Sequence, residues 1–176
     1  MGRIDLKSIL HRTVSRLYGD LVTRPTGKAV RGGIEQSLAE LDGEQIAVID
    51  FSTVRCLDIS CADEIVGKLL LEHGRARRFL LHGVTPSHCE AIEQVLERHE
   101  LAVVAWDREG RVRVLGPVDD TARRAFTLLT DEGPAGPEEI ATQLGLPMDA
   151  AQQALDQLLG QRLVQQAADR YRALST

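Results

Sequence analysis

The residues of this chain best suited to chemistry crowd into one strand-to-helix passage: Asp50, Asp58, Ser60, Asp63 and Glu64. Ser60 opens a helical pattern, where a serine offers its hydroxyl oxygen to a free backbone amide, and Ser60-Cys61-Ala62-Asp63 reads as a variant capping box. Asp63 and Glu64 fall off the apolar stripe of Ala62, Ile65 and Val66, and two readings stand side by side. They make a solvated face favoured by the helix dipole, or, alongside Asp58, the rim of a partner-binding surface. Asp50 ends a strand, where α/β folds often place functional groups and where a carboxylate also serves to cap a loop. None of these acids is joined to a recognisable nucleophile, metal cluster or glycine-rich loop, so an enzyme is the least supported class.

Metal and nucleotide chemistry find less. Cys56, Cys61 and Cys89 are an odd number with no C-x-x-C pair, and read as buried thiols or small helix residues of a protein in a reducing compartment. His11, His73, His82, His88 and His99 show neither H-x3-H nor H-E-x-x-H spacing, and no metal or cofactor is expected. Pro25-Thr26-Gly27-Lys28-Ala29 fails as a phosphate loop, because Ala29 lacks the hydroxyl that would hold Mg²⁺ and Gly19 stands at the wrong distance. Pro25 and Thr26 instead start a helix, with Arg24, Lys28 and Arg31 as a solvated basic face or a docking patch.

The elements that must position these residues follow from periodicity. Residues 46–51, 79–82 and 101–106 are short apolar runs that read as strands buried on both faces. Between them lie amphipathic helices over 26–41, 60–73 and 86–99, the first with Gly33 and Ser37 small enough for close approach to a sheet and the last opened by Pro86. Residues 111–115 alternate after the turn 107–110 and should pair as a hairpin with 101–106. Residues 4–10 and 18–22 read as opening strands, or the first as a helix burying Leu6, Ile9 and Leu10. Strands alternating with helices imply a mostly parallel sheet.

Gly116-Pro117 marks a boundary, and beyond it three helices and a terminal hairpin are expected. The helices lie over 121–130, from Pro137 to a stop at Leu144-Gly145-Leu146-Pro147, and over 148–160; the strands are 163–165 and 171–174, around a turn at 167–169. This order resembles the winged-helix plan. A DNA-reading version would bring cations to the phosphates, yet residues 148–160 hold no Lys or Arg and carry Asp149 and Asp156. Residues 118–176 hold five Arg and no Lys against nine Asp plus Glu, a net −4 within a chain of net −5. Gln152, Gln153, Arg162, Arg170 and Arg172 remain as DNA contacts, with Arg123 and Arg124 on the first of these helices, while the wing arginines read equally as ordinary exposed hairpin residues. Winged helices also dock proteins and dimerise, so a homodimer stays open.

The run from Val48 to Ile65 resembles the central strand, loop and helix start of STAS (anti-sigma factor antagonist) domains. Asp50-Phe51-Ser52-Thr53-Val54 matches their Asp-hydrophobic-Ser-x-Val strand end, and Asp58-Ile59-Ser60 their Asp-x-Ser loop. Asp50-Phe51 and Ala62-Asp63-Glu64 are more similar still to the D-F and F-A-D-E signatures of an uncharacterised STAS-like family, with Cys61 where that family has Phe. The specific likeness covers residues 48–65, and element order carries the rest of 1–117. Such a resemblance implies a bacterial switch: the unmodified domain binds a GHKL-type ATPase or kinase, which phosphorylates the serine at the helix start and breaks the complex. Ser60 is the matching position. A helix N-terminus favours a phosphate, whereas Asp58, Asp63 and Glu64 would crowd a group of about −2 charge, and Cys61 stands where phosphorylated STAS domains carry Gly.

Composition bounds the rest. The 176 residues are 43% hydrophobic and 27% charged, as in ordinary globular proteins, and no apolar run approaches the ~20 residues of a membrane span. The N-terminal stretch lacks the apolar core of a secretory signal, and Leu6 stands where a myristoylation signal has Ser or Thr. The expected protein is cytoplasmic, without a membrane partner: a STAS-like α/β domain of mixed sheet and helices over 1–117, then a small winged-helix-like α+β domain over 118–176. Its expected role is a non-enzymatic regulator that binds a protein, of the GHKL ATPase or kinase type, through Asp58, Ile59, Ser60, Asp63 and Glu64, with Ser60 as the phosphorylation site. The alternative is a transcription regulator that binds DNA through the C-terminal part.

Overall fold

Strand and helix alternate from the first residues of the computed structural model, which describes residues 1–14, 19–41 and 46–174. β1 (Gly2–Asp5) runs directly into α1 (Leu6–Thr13), where Asp5 accepts the Lys7 amide as N-cap and Leu6, Ile9 and Leu10 are buried. The two readings of residues 4–10 are thus both realised in succession, strand then helix. Tyr18 lies outside the described residues. There follow β2 (Asp20–Leu21), α2 (Arg24–Ala39), β3 (Ala47–Asp50) and β4 (Cys56–Leu57). A composite helix comes next, made of α3 (Ile59–Ala62), a π-helical stretch (Asp63–Lys68) and α4 (Leu69–His73). Then come β5 (Phe79–Val84), α5 (Pro86–His99), β6 (Val103–Asp107) and β7 (Val112–Leu115).

β1, β3, β5 and β6 pair in parallel in that order, and β7 closes the edge antiparallel to β6. The β6–β7 hairpin forms where it was expected. Asp107 accepts the backbone amides of Glu109 and Arg111, and Gly110 takes φ +84°, so the side-chain carboxylate templates the turn.

Side-chain alternation splits the sheet into two cores. Ile49, Leu81 and Ala105 face α1, α2, α5 and the composite helix. Gly33 does not lie against the sheet: a Cβ there would stand 2.5 Å from Ile9 Cγ2, so its small size serves the packing of α2 on α1. The other face, with Val48, Leu80, Val104 and Val114, is covered by the C-terminal part of the chain. That part comprises α6 (Asp120–Asp131), α7 (Pro137–Leu144), α8 (Met148–Gly160) and the antiparallel pair β8 (Val164–Ala167) and β9 (Arg170–Ala173). Phe126, Leu129, Leu155 and Leu158 join the sheet residues in one apolar cluster. Cover on both faces is why β3 and β5 read as continuous apolar runs rather than alternating ones.

Gly145 ends α7 in the left-handed region, φ +64°, as its place before Pro147 suggested. A single antiparallel bridge between Ala135 and Tyr171 adds a third, minimal strand beside the β8–β9 hairpin. Among the described residues no helix is long and apolar enough to cross a membrane.

Candidate functional site

The passage from Asp50 to Glu64 leaves the carboxyl end of β3 and is tied down residue by residue. Asp50 accepts the Ser52 amide at 3.0 Å and both Arg3 Nε and Nη2, at 3.0 and 2.6 Å, and lies 3.3 Å from His82 Nδ1. Burial alone would raise its pKa, but the Ser52, Arg3 and His82 bonds outweigh that and hold it at about 2. Arg108 donates to the carbonyls of Ser52 and Val54, and Gly83, at φ +70°, leaves room for Ser52 where a Cβ would come within 2.7 Å of its Cα. Asp50 therefore acts as a loop cap whose charge is already matched.

At the helix start the roles differ from those read in the sequence. Asp58, not Ser60, is the N-cap: its Oδ1 accepts the Cys61 amide at 2.7 Å. Ser60 sits inside the first turn, and its hydroxyl donates to the same Asp58 oxygen at 2.8 Å. The other Asp58 oxygen accepts the Thr23 amide at 2.8 Å, so one carboxylate joins the start of α3 to the start of α2. Burial opposes the ionised form, but these donors prevail and Asp58 titrates below the ordinary aspartate range. Thr23 pays a conformational cost for this joint, adopting φ +74°, a region that β-branched residues avoid.

Asp63 and Glu64 are neither a solvated face nor a rim. They are 6% and 0% exposed. Helical periodicity assigns them to solvent only if one flank of the helix is free, but the π-helical stretch is wedged between α2 and α5, so every flank is covered. Glu64 meets Arg24, Lys68 and Arg31, while Asp63 meets Arg24 at 2.8 Å and His99 Nε2 at 2.9 Å. In both acids burial pushes the pKa up, but hydrogen bonds, from His99 and Arg24 to Asp63 and from Lys68 and Arg24 to Glu64, together with the nearby cations pull it further down, leaving each below its ordinary value. Arg24 and Arg31 are thus counter-ions of buried acids rather than a free basic face; Lys28 alone of that trio has its side chain in solvent with no such partner among the described residues. Gly27 permits the approach, since a Cβ there would stand 3.0 Å from Cys61 Cα.

The cysteines divide. Cys61 and Cys89 are buried, Cys61 with its thiol on the Thr23 carbonyl and its pKa pushed up to about 12 by burial and then by Asp58. Cys56 is exposed on the short β4, so it is neither the buried thiol nor the small helix residue expected. What reaches the surface at the helix start is Ile59, 40% exposed, with the partly exposed Ser60 and Arg24 beside it.

In the C-terminal part, Gln152 donates to Asp156 and lies within reach of the Tyr171 hydroxyl. Gln153 is exposed on the same face of α8 as Asp149 and Asp156. Arg123 is spent on the Val114 and Gly116 carbonyls and Arg124 on that of Leu144, so both arginines tie α6 to its neighbours. Arg170 pairs with Glu139, Arg172 is exposed, and Arg162 is partly buried.

Glu35, Glu72 and His73 place one ligand atom each within 4.8 Å of one another, a grouping invisible to spacing rules because it spans α2 and α4. Arg31 already contacts Glu72 at 2.7 Å and Glu35 at 3.9 Å, so a metal ion would have to displace a resident cation.

No protein-family model matches this chain, and no curated protein matches it.

Proposed function

We propose that this chain is a non-enzymatic regulator whose N-terminal part is a STAS-like module that docks a protein partner through the surface at the start of α3. The observation that carries the reading is Ile59: a large aliphatic side chain, 40% exposed, at the first helical position beside Ser60. An apolar anchor ringed by polar groups is the usual make-up of an interface centre. The joint beneath it is rigid, because Asp58 ties α2 to α3 and holds the Ser60 hydroxyl in one orientation. Asp63 and Glu64 support that surface from below and leave Arg24 as the charged group beside it.

The resemblance in residues 48–65 favours an ATPase or kinase of the GHKL type as the partner, with Ser60 as the phosphate acceptor. Asp58 is placed to accept the hydroxyl proton during such a transfer. A phosphate of about −2 charge on Ser60 would then repel the same carboxylate that caps α3 and anchors Thr23, which supplies a physical route from modification to release. The C-terminal part, with its three helices, hairpin and added bridge strand, fits a winged-helix-like module used for a second contact. DNA reading by α8 draws less support, since Asp149 and Asp156 share its exposed face with Gln153.

The test is affinity capture from the native cell with the wild type and Ile59→Asp, followed by intact-mass analysis of the recovered chain. A nucleotide-binding protein retained by the wild type and lost with Ile59→Asp is expected. Equal capture by both removes this surface as the docking site. A mass increase of one phosphate, absent in Ser60→Ala, is the expected mark of the switch.

A further inference from the structure

Between the β8–β9 hairpin and the turn that leads into β5 lies a cleft of about 650 Å³. Arg78, Arg162, Arg170 and Arg172 line it, with Gln165 and Gln166 beside them and no carboxylate among the lining residues. Arg170 is partly neutralised by Glu139. Among the described residues the side chains of Arg78, Arg162 and Arg172 have no ion-pair or hydrogen-bond partner, and the Nε atoms of Arg78 and Arg162 are buried without one. Buried unpaired donors are rare enough to require a reason. Arg162 also takes φ +61°, a strained conformation at the place where α8 gives way to the hairpin.

We propose that this cleft binds a small polyanion carrying two or more linked phosphate groups. Its two walls come from different parts of the chain, Arg78 from the approach to β5 and the others from the hairpin region, so like charges converge across a gap. Burial, and then the charge of Arg162, hold the Arg78 guanidinium below its ordinary pKa, as expected of cations facing each other without an anion. Guanidinium forks match phosphate oxygens in geometry as well as charge. One phosphate brings about −1.5 to −2 charge, too little for this group of arginines, whereas a di- or triphosphate is commensurate. The volume falls within the roughly 300–1,000 Å³ of small-molecule sites. No aromatic ring lines the cleft, so nothing there would stack on a base and recognition rests on the phosphates. Arg162, Arg170 and Arg172, otherwise candidates for DNA contact, are on this reading the walls of a small-anion site completed by Arg78.

Isothermal titration of the full chain with orthophosphate, pyrophosphate, tripolyphosphate and ATP tests the proposal. Saturable one-to-one binding of pyrophosphate and tripolyphosphate, at least tenfold tighter than orthophosphate, is expected. Arg78→Gln and Arg162→Gln should each weaken it tenfold or more, and Arg12→Gln, on α1, should leave it unchanged. Should Arg162→Gln fail to fold, Arg172→Gln at the rim should still weaken binding severalfold. ATP and tripolyphosphate binding alike supports recognition of phosphates alone; tighter ATP binding supports a nucleotide as their source. No saturable binding, equal weakening by Arg12→Gln, or binding of a duplex oligonucleotide but not of tripolyphosphate overturns it.

Discussion

The Ser60 hydroxyl and the Cys61 amide share one oxygen of Asp58, at 2.8 and 2.7 Å, while the second Asp58 oxygen holds the Thr23 amide. The aspartate is therefore the structural centre of the loop and the serine its dependent. Asp58→Ala removes a helix cap and an inter-helix anchor together, and should cost about 1–2 kcal/mol. Ser60→Ala removes one partly exposed hydroxyl and should cost about 1 kcal/mol or less. Urea unfolding of the two variants decides the matter; equal losses would contradict this ordering.

Glu64 is fully buried, but its cations Arg24, Lys68 and Arg31 are 44%, 33% and 21% exposed at the side chain. Breaking a buried pair costs about 3–5 kcal/mol when the remaining charge is trapped. Here the cations can turn to water, so Glu64→Gln should cost less, about 2 kcal/mol. A loss under half of that in chemical denaturation would mean that the network contributes little net stability.

Stability should fall in acid. Asp50 binds its proton less readily in the folded chain, near pH 2 against 3.8 ordinarily, so its contribution is complete above about pH 4 and lost as the pH drops through 2. The depression corresponds to about 2 kcal/mol. Asp58, Asp63 and Glu64 are lowered as well and act in the same direction. His88 adds to the effect earlier: burial lowers its pKa from 6.5, so stability is lost as the pH falls below 6.5 and the unfolded chain takes up a proton that the folded one refuses. Unfolding free energies from pH 7 to 2 should show this slope, and Asp50→Asn should flatten its lowest part.

Val48, Leu80, Val104 and Val114 form an apolar row that only the C-terminal part covers. A chain cut after residue 117 should expose that row, and bind a hydrophobic dye and self-associate more than the full chain. A monomeric, dye-silent fragment would show that the sheet face tolerates water. Leu80→Ala in the full chain should cost about 2–5 kcal/mol, as for other buried leucines.

Local pattern sufficed for much of the fold. The period of the apolar residues placed β3, β5, β6, α2 and α5 to within a few residues, because each element buries a face whose spacing is set by backbone geometry. Pro86, Pro137 and Gly145 marked helix ends through φ restrictions that belong to single residues. The hairpin turn at Asp107 was legible for the same reason, its carboxylate reaching amides only two and four residues away.

What the sequence could not determine is which flanks of an element meet other elements. Asp63 and Glu64 sit off their helix's apolar stripe, and only the packing of α2 and α5 on both sides turned them into buried counter-ions of Arg24 and Arg31, with His99 hydrogen-bonded to Asp63. Asp58 rather than Ser60 is the cap because the helix starts at Ile59, and what the sequence could not show is that the second Asp58 oxygen meets the amide of Thr23, thirty-five positions away. Arg78 carries no motif and faces Arg162 only because the C-terminal part folds back over the sheet. Residue type and spacing determine which face of an element is apolar; long-range packing alone determines which charges meet, and so where this protein has a surface able to recognise something else.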